Sequence, residues 1–258
     1  MDLGLKGKRA LVLGASRGLG RAIAETLARE GVRVIAAARN EPAIAEWTAA
    51  MPGYDITPLR IDLADIASID GTLEAILADG GVDILINNAG GPPPGTALDA
   101  DHAAWTANFS AMAASLFHIT SKLVPPMRER GFGRVITIGS SGVEQPIPNL
   151  AMSNGIRAAV LAWSKTLASE VASDGVTVNM VVPGRIHTAR VDELDAAAAK
   201  RTGKSVEEIA KASAASIPAG RYGRPQEFAD MVVFLASERA SYVTGSRVRV
   251  DGGAIRSL

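Results

Sequence analysis

The sequence contains no cysteine, which excludes disulfides, thiolate metal sites and a sulfur nucleophile. It also lacks net charge: 27 Lys and Arg face 27 Asp and Glu. No overall field therefore draws the chain to nucleic acid or an anionic membrane. Long apolar runs are missing too, and none reaches the roughly 18 residues needed to cross a bilayer. Residues 1–6 lack the apolar core of a secretory signal. These absences predict a cytoplasmic protein that acts on a small molecule, with no metal, membrane or nucleic-acid partner.

What is present fits one large α/β domain. The chain has 258 residues, 47% hydrophobic and 21% charged, enough to bury a substantial core. Short β-branched or aliphatic runs alternate with longer amphipathic stretches. Strands are expected at 9–13, 32–38, 56–61, 84–87, 134–138, 177–182 and 247–250. Helices are expected at 18–30, 42–50, 66–77, 149–173 and 225–236, with another long one ending near Met127. This alternation predicts a parallel sheet with helices on both faces and right-handed crossovers. Residues 1–258 thus read as a single Rossmann-type domain with a seven-stranded parallel sheet. One polar insert, 190–218, follows the sixth strand. Ser205 and Glu208 have capping-box spacing, so a short helix is expected within it. Ligands of open α/β sheets sit beyond the carboxyl ends of the strands, which makes this insert a candidate substrate lid.

Directly after the first strand comes Gly14-Ala15-Ser16-Arg17-Gly18-Leu19-Gly20, leading into a helix. Glycines there permit a tight turn and let the backbone approach a pyrophosphate at the helix N-terminus. Alone, such a turn is a weak signal; its place between strand and helix strengthens it. Further motifs follow in order: Ile61-Asp62-Leu63, Asn87-Asn88-Ala89-Gly90, Pro183-Gly184 with Ile186 and Thr188, Arg224-Pro225, and Val250-Asp251-Gly252-Gly253. Together they resemble the short-chain dehydrogenase/reductases over nearly the whole chain, most closely the β-ketoacyl-carrier-protein reductase-like branch. The resemblance implies that Gly14, Ser16, Arg17, Gly18, Leu19 and Gly20 hold the dinucleotide, with Asp62 and Leu63 at the adenine. It places Asn88, Ala89 and Gly90 along the cofactor, and Pro183, Gly184, Ile186 and Thr188 at the nicotinamide carboxamide.

Charge decides between cofactors. NAD sites place a carboxylate at the end of the second strand, against the ribose 2′-OH. Here that place reads Ala37-Ala38-Arg39-Asn40. Arg39 and Arg17 can instead pair with a 2′-phosphate, although two solvated surface arginines are a common alternative. NADP(H) is the expected cofactor.

The catalytic set departs from the resemblance. The family pattern implies Asn, Ser, Tyr and Lys, with Ser holding the substrate oxygen, Tyr exchanging the proton and Lys tuning Tyr and binding ribose. Ser140 takes the Ser position. Counting onward puts Ser153 at the Tyr position and Arg157 at the Lys position. Ser164-Lys165-Thr166-Leu167 and Val178-Asn179 keep this register. The Asn position holds Met112, and Asn108 lies one turn earlier on the same face. The only tyrosines are Tyr54, Tyr222 and Tyr242, none in the helix after Ser140. Lys165 lies two turns past Arg157, about 12 Å along the axis. A serine hydroxyl is a poorer proton donor than a phenol, whereas arginine keeps the positive charge and can still bind ribose hydroxyls. Cofactor binding should therefore survive these changes better than the proton relay.

His187 is a candidate alternative acid, a solvent-facing loop histidine being the plainer reading. His102 and His118 read as solvent-facing or at a helix interface, Ser141 as a turn residue. The stretch Gly91-Pro92-Pro93-Pro94-Gly95 forms a stiff loop beside the expected site. Two functions fit: an NADP(H)-dependent oxidoreductase whose proton comes from Ser153, His187 or water, and a nucleotide-binding, catalytically weak homologue acting as sensor or partner. The resemblance implies a homotetramer built through the two long helices and the last strand, with a homodimer still open.

Overall fold

Seven parallel strands form one sheet in the order β3-β2-β1-β4-β5-β6-β7. In the computed structural model, which describes residues 1–257, these are β1 (Arg9–Leu13), β2 (Arg33–Ala38), β3 (Ile56–Arg60), β4 (Ile84–Asn87), β5 (Gly133–Ile138), β6 (Val176–Pro183) and β7 (Arg247–Val250). Each expected strand is there, with ends moved by a residue or so, as strand ends usually are. The helices are α1 (Gly18–Arg29), α2 (Glu41–Ala49), α3 (Ile66–Ala78), α4 (His102–Phe109), α5 (Ser115–Glu129), α6 (Ala151–Val171), α7 (Ala189–Thr202), α8 (Val206–Ser216) and α9 (Pro225–Ala236).

Burial follows the period of two that a strand imposes. Ala10 and Val12 face one layer with Ile23 and Leu27 of α1 and Phe228 and Val232 of α9. Leu11 and Leu13 face the other layer, with Ile69 and Leu73 of α3, Ile119 and Leu123 of α5, and Ile156 and Val160 of α6. Because both faces are covered, the central strands are near-continuous apolar runs, as parallel sheets require. The chain turns from β1 to β2 on one side, while β4 pairs with β1 on the other. That reversal opens a crevice at the carboxyl ends of β1 and β4, where such sheets bind ligands.

Two departures from the sequence reading matter. The long helix ending near Met127 is broken: a π-helical turn, Ser110–Ala114, separates α4 from α5 and buries Met112 and Ala113. Such turns insert an extra residue into the helical ladder and often mark functional sites. The insert is also more regular than the one short helix expected. It holds two helices, α7 and α8, joined at Gly203, whose φ of 70° closes α7 in the left-handed conformation. Residues 189–202 are rich in Ala, Leu, Arg, Glu and Lys, all strong helix formers. The Ser205–Glu208 capping box forms reciprocally at the start of α8. Among the described residues, no helix is long and apolar enough to cross a membrane.

Candidate active site

The glycine turn is dictated by space. Gly14 and Gly18 have φ of 64° and 59°, in the region that strongly favours glycine. A Cβ on Gly14 would lie 2.7 Å from Nδ2 of Asn88, and one on Gly20 would lie 2.2 Å from the Gly14 carbonyl oxygen. Asn88 Nδ2 donates to that same carbonyl at 3.4 Å, which ties the Asn88-Ala89-Gly90 stretch to the turn. At the N-terminus of α1, Arg17 provides no side-chain cap, and no acid lies in the first turn. The free N–H groups and the helix dipole therefore face the crevice, as an anion site needs. From below, the Trp47 indole donates to the Ala15 carbonyl at 3.2 Å. Sequence reading missed that support, since α2 and the turn lie 32 residues apart.

The other expected cofactor segments converge here. The Thr188 methyl lies 3.7 Å from the position of a Cβ on Gly18, so the loop after β6 borders the glycine turn. A Cβ on Gly184 would fall 2.6 Å from Asp251 Cα, so Pro183-Gly184 packs directly on the C-terminal Asp-Gly-Gly stretch. Ile186 is buried and bridges to Gly223. Asp62 accepts from the Ala64 N–H at 3.0 Å, and the Leu63 carbonyl accepts from Ser115 Oγ at 2.6 Å. That bond anchors the loop after β3 to the start of α5, next to the π-helical turn. Arg39 is exposed and forms no ion pair among the described residues. Arg17 differs from the sequence reading: its Nη1 lies 3.4 Å from Glu193 of α7. Both side chains are largely exposed, so the pair is weak and screened. The steric cradle and cations fit a phosphorylated dinucleotide, and the buried Ala38 offers no acid to a ribose diol.

One strand further along lie Ser140, Ser153 and Arg157. Ser140 caps the short turn after β5, and its Oγ accepts from the Gly142 N–H at 3.1 Å. Its own O–H thus remains free to donate. Gly142 is fixed by close approach, because a Cβ there would lie 2.2 Å from Asn154 Oδ1. Asn154 holds the backbone of Ile147 at both N–H (3.4 Å) and carbonyl (3.0 Å). Ser153 is buried on α6, one turn before Arg157. Arg157 donates from Nη1 to the Ile138 carbonyl at 2.9 Å and from Nη2 to the Ala89 carbonyl at 3.1 Å. It thereby ties the ends of β5 and β4 together, a structural role that the sequence did not suggest. Burial, and then the charge of Arg190, pull its pKa down to about 10, so it remains a cation at neutral pH.

Not every candidate lands in this cluster. Asn108 donates Nδ2 to its own Ala104 carbonyl at 2.9 Å and lines a pocket of about 240 Å³ with Pro93, Pro94 and Met152. Met112 is buried in the π-helical turn. His187 is 70% exposed, with Nε2 3.5 Å from Asp192, which is the plainer of its two readings. His118 sits at a helix interface, its ring 2.6 Å from Asp70 of α3.

Three groups have no local sequence signal at all. The buried Asp195 of α7 accepts from Arg185 Nη1 at 2.5 Å and from the Tyr222 hydroxyl at 2.7 Å. Burial is the main reason that the Tyr222 pKa is raised. Arg190 of α7 donates to the Pro92 carbonyl at 3.2 Å. The almost fully buried Glu144 carboxylate lies 2.8 Å from Arg247 and also pairs with Arg249, which anchors the loop after Ser140 to β7.

A family model described as Enoyl-(Acyl carrier protein) reductase matches residues 14–254. The 3-oxoacyl-(acyl-carrier-protein) reductase FabG of Escherichia coli (strain K12) is 39% identical over 257 residues, covering 97% of this chain and 98% of that protein. Among solved structures, the L-sorbose reductase of Gluconobacter frateurii, complexed with NADPH and L-sorbose, superposes with a TM-score of 0.93 at 34% identity, covering 100% of both chains. YwfH, an NADPH-dependent reductase involved in bacilysin biosynthesis, gives a TM-score of 0.91 at 30% identity, covering 97% of this chain and 99% of that one. The chain therefore belongs to the short-chain dehydrogenase/reductase family, in its 3-oxoacyl-(acyl-carrier-protein) reductase-like branch, and is an NADP(H)-dependent oxidoreductase.

Proposed function

We propose that this protein reduces a small carbonyl compound with a proton source other than the family's tyrosine, Ser140, Ser153 and Arg157 forming the reacting cluster. The observation that carries this reading is Arg157. It touches both the Ala89 carbonyl, beside the cofactor stretch, and the Ile138 carbonyl, two residues before Ser140. When bound, NADPH supplies the hydride; the protein supplies position and charge.

Ser140, with its O–H free, donates to the substrate carbonyl oxygen. As negative charge develops on that oxygen, the fixed cation of Arg157 favours it electrostatically. The proton is relayed from solvent acid through water held at Ser153, since neither an unperturbed serine nor water itself is acidic enough to be its source. The exposed position of His187 argues against it as the source. Residues 190–218 act as the substrate lid, latched by Arg185 and Tyr222 on Asp195. The protein works in the cytoplasm as a homotetramer assembled through α5, α6 and β7. The FabG-like relatives support the first of those two points, the tetramer rests on the family resemblance alone, and no observation favours the sensor alternative.

The test combines titration of NADPH and NADH with absorbance at the reduced nicotinamide band over a panel of carbonyl substrates. Tight NADPH binding with slow but saturable oxidation is expected. Failure of any carbonyl to consume bound NADPH would refute the reading.

A further inference from the structure

A single carboxylate joins the cofactor turn to the lid. Arg17, the N-cap residue of α1, lies with Nη1 3.4 Å from Oε1 of Glu193 on α7. The other oxygen of that carboxylate, Oε2, lies 3.3 Å from Arg190 Nη1. Arg190 in turn donates from Nη2 to the Pro92 carbonyl at 3.2 Å. Arg17, Glu193, Arg190 and Pro92 thus form one chain of contacts from the glycine turn, through the lid, to the loop after β4. The root of the lid rests on the same turn, with the Thr188 methyl 3.7 Å from the position of a Cβ on Gly18. The first turn of α1 carries no acid of its own, so the positive charge at that end is answered from α7.

The two arginines available to a 2′-phosphate differ in this respect. Arg39 is exposed and forms no ion pair among the described residues, whereas Arg17 already has an anion beside it. A phosphate that comes to Arg17 meets a carboxylate on the same guanidinium, and the two anions repel each other. Exchange between them is feasible, because the Arg17–Glu193 pair is long, largely exposed and therefore weak. Leaving Arg17 also costs Glu193 little. Arg190, one turn earlier on the same helix, keeps hold of its second oxygen. A dinucleotide without the 2′-phosphate makes no such demand on Arg17.

We propose that Glu193 is a selectivity residue for the cofactor: its carboxylate competes with the 2′-phosphate for Arg17 and passes to Arg190 when the phosphate binds. This rests on the reading of Arg17 as a ligand of that phosphate. Occupation of the phosphate position is thereby transmitted to the lid, because the contact given up is the one that ties Glu193 of α7 to the glycine turn.

The experiment is calorimetric titration of the full chain with NADP⁺ and with NAD⁺, at low and high salt and without any carbonyl substrate. Glu193→Gln should tighten NADP⁺ about threefold and leave NAD⁺ within about 1.5-fold. The gain should shrink as salt rises, since the groups involved are exposed. Arg190→Gln should act in the opposite sense, weakening NADP⁺ about twofold while Glu193 is present and having no effect in the Glu193→Gln background. Both side chains are exposed on the lid, so neither change disturbs the core. Equal tightening of both cofactors in Glu193→Gln overturns the proposal, as does no change in either. A gain that persists undiminished in the Arg17→Ala background also overturns it, because Glu193 would then act by long-range repulsion and not through a shared guanidinium. If Arg17→Ala leaves NADP⁺ affinity intact, Arg17 is no phosphate ligand and the proposal falls with that reading. If Arg17→Ala weakens NADP⁺ but Glu193→Gln changes nothing, Arg17 keeps its role and only the competition is refuted.

Discussion

The two halves of the crevice are specified by different means. Around the cofactor turn, backbone fills the space: Gly14, Gly18 and Gly20 leave no room for a Cβ or adopt positive φ, and Asn88 ties two loops through one carbonyl. Around Ser140 and the lid, charged side chains set the geometry: Arg157 on two carbonyls, Asp195 between Arg185 and Tyr222, and Glu144 between Arg247 and Arg249. A steric constraint tolerates almost no substitution, whereas a charged network can be rebuilt with other residues as long as its members still meet. The first half accordingly keeps its glycines, whereas the second carries Ser153 and Arg157 where the resemblance implies tyrosine and lysine.

The strongest test of this contrast restores the usual chemistry. Ser153→Tyr with Arg157→Lys should raise turnover of an ordinary β-ketoacyl thioester by about 10²–10⁴-fold, the range of general acid–base catalysis. The gain should exceed the product of the single changes, because the lysine acts by tuning the tyrosine. Steady-state kinetics with NADPH affinity measured alongside would show it; no gain would mean that the rewritten half is not the limiting one.

Gly20→Ala attacks the other half. Its Cβ would meet the Gly14 carbonyl at 2.2 Å, so the turn must shift and NADPH affinity should fall by about 100-fold, with about 1–3 kcal/mol lost in stability from overpacking. Calorimetry and thermal unfolding report the two effects separately. If binding survives the substitution, the turn is more plastic than its geometry indicates.

A smaller effect is expected of Arg39→Ala, which should weaken NADPH by roughly 10- to 150-fold and leave NADH nearly unchanged. Equal losses for both cofactors would show that Arg39 is not reading the phosphate.

The smallest concerns pH. Glu227 pairs with Arg221 at 2.6 Å and accepts from the Arg224 N–H at 2.7 Å. Hydrogen bonding from Arg221, then from the Arg224 backbone, lowers its pKa from 4.5 to about 2. A carboxylate with a depressed folded pKa adds stability that is fully present above its unfolded value and is lost as pH falls through the folded one. The melting-temperature gap between wild type and Glu227→Gln should hold at pH 7, narrow below about 4.5 and close near 2. A gap independent of pH would show that the ion pair is not its cause.

Local order was legible from the chain because its causes are local. Short β-branched or aliphatic runs specified β1 to β7, the glycines specified the turn, and Ser205 with Glu208 specified the start of α8. The absence of tyrosine from α6 was plain in the letters. The extent of α7 was not foreseen, since its polar face read as an insert, and the π-helical turn at Ser110–Ala114 leaves no mark in hydrophobic periodicity.

Sequence alone thus determined the fold, the glycine turn and the absence of tyrosine from α6, all of which follow from residue type and short-range spacing. Tertiary structure decided where the long charged side chains go. Arg157 reaches Ala89 across 68 residues, Arg190 reaches Pro92 across 98 and Trp47 reaches Ala15 across 32. An arginine has several rotatable bonds and many possible acceptors, so its partner is fixed only when packing brings one carbonyl into range and removes water from the rest.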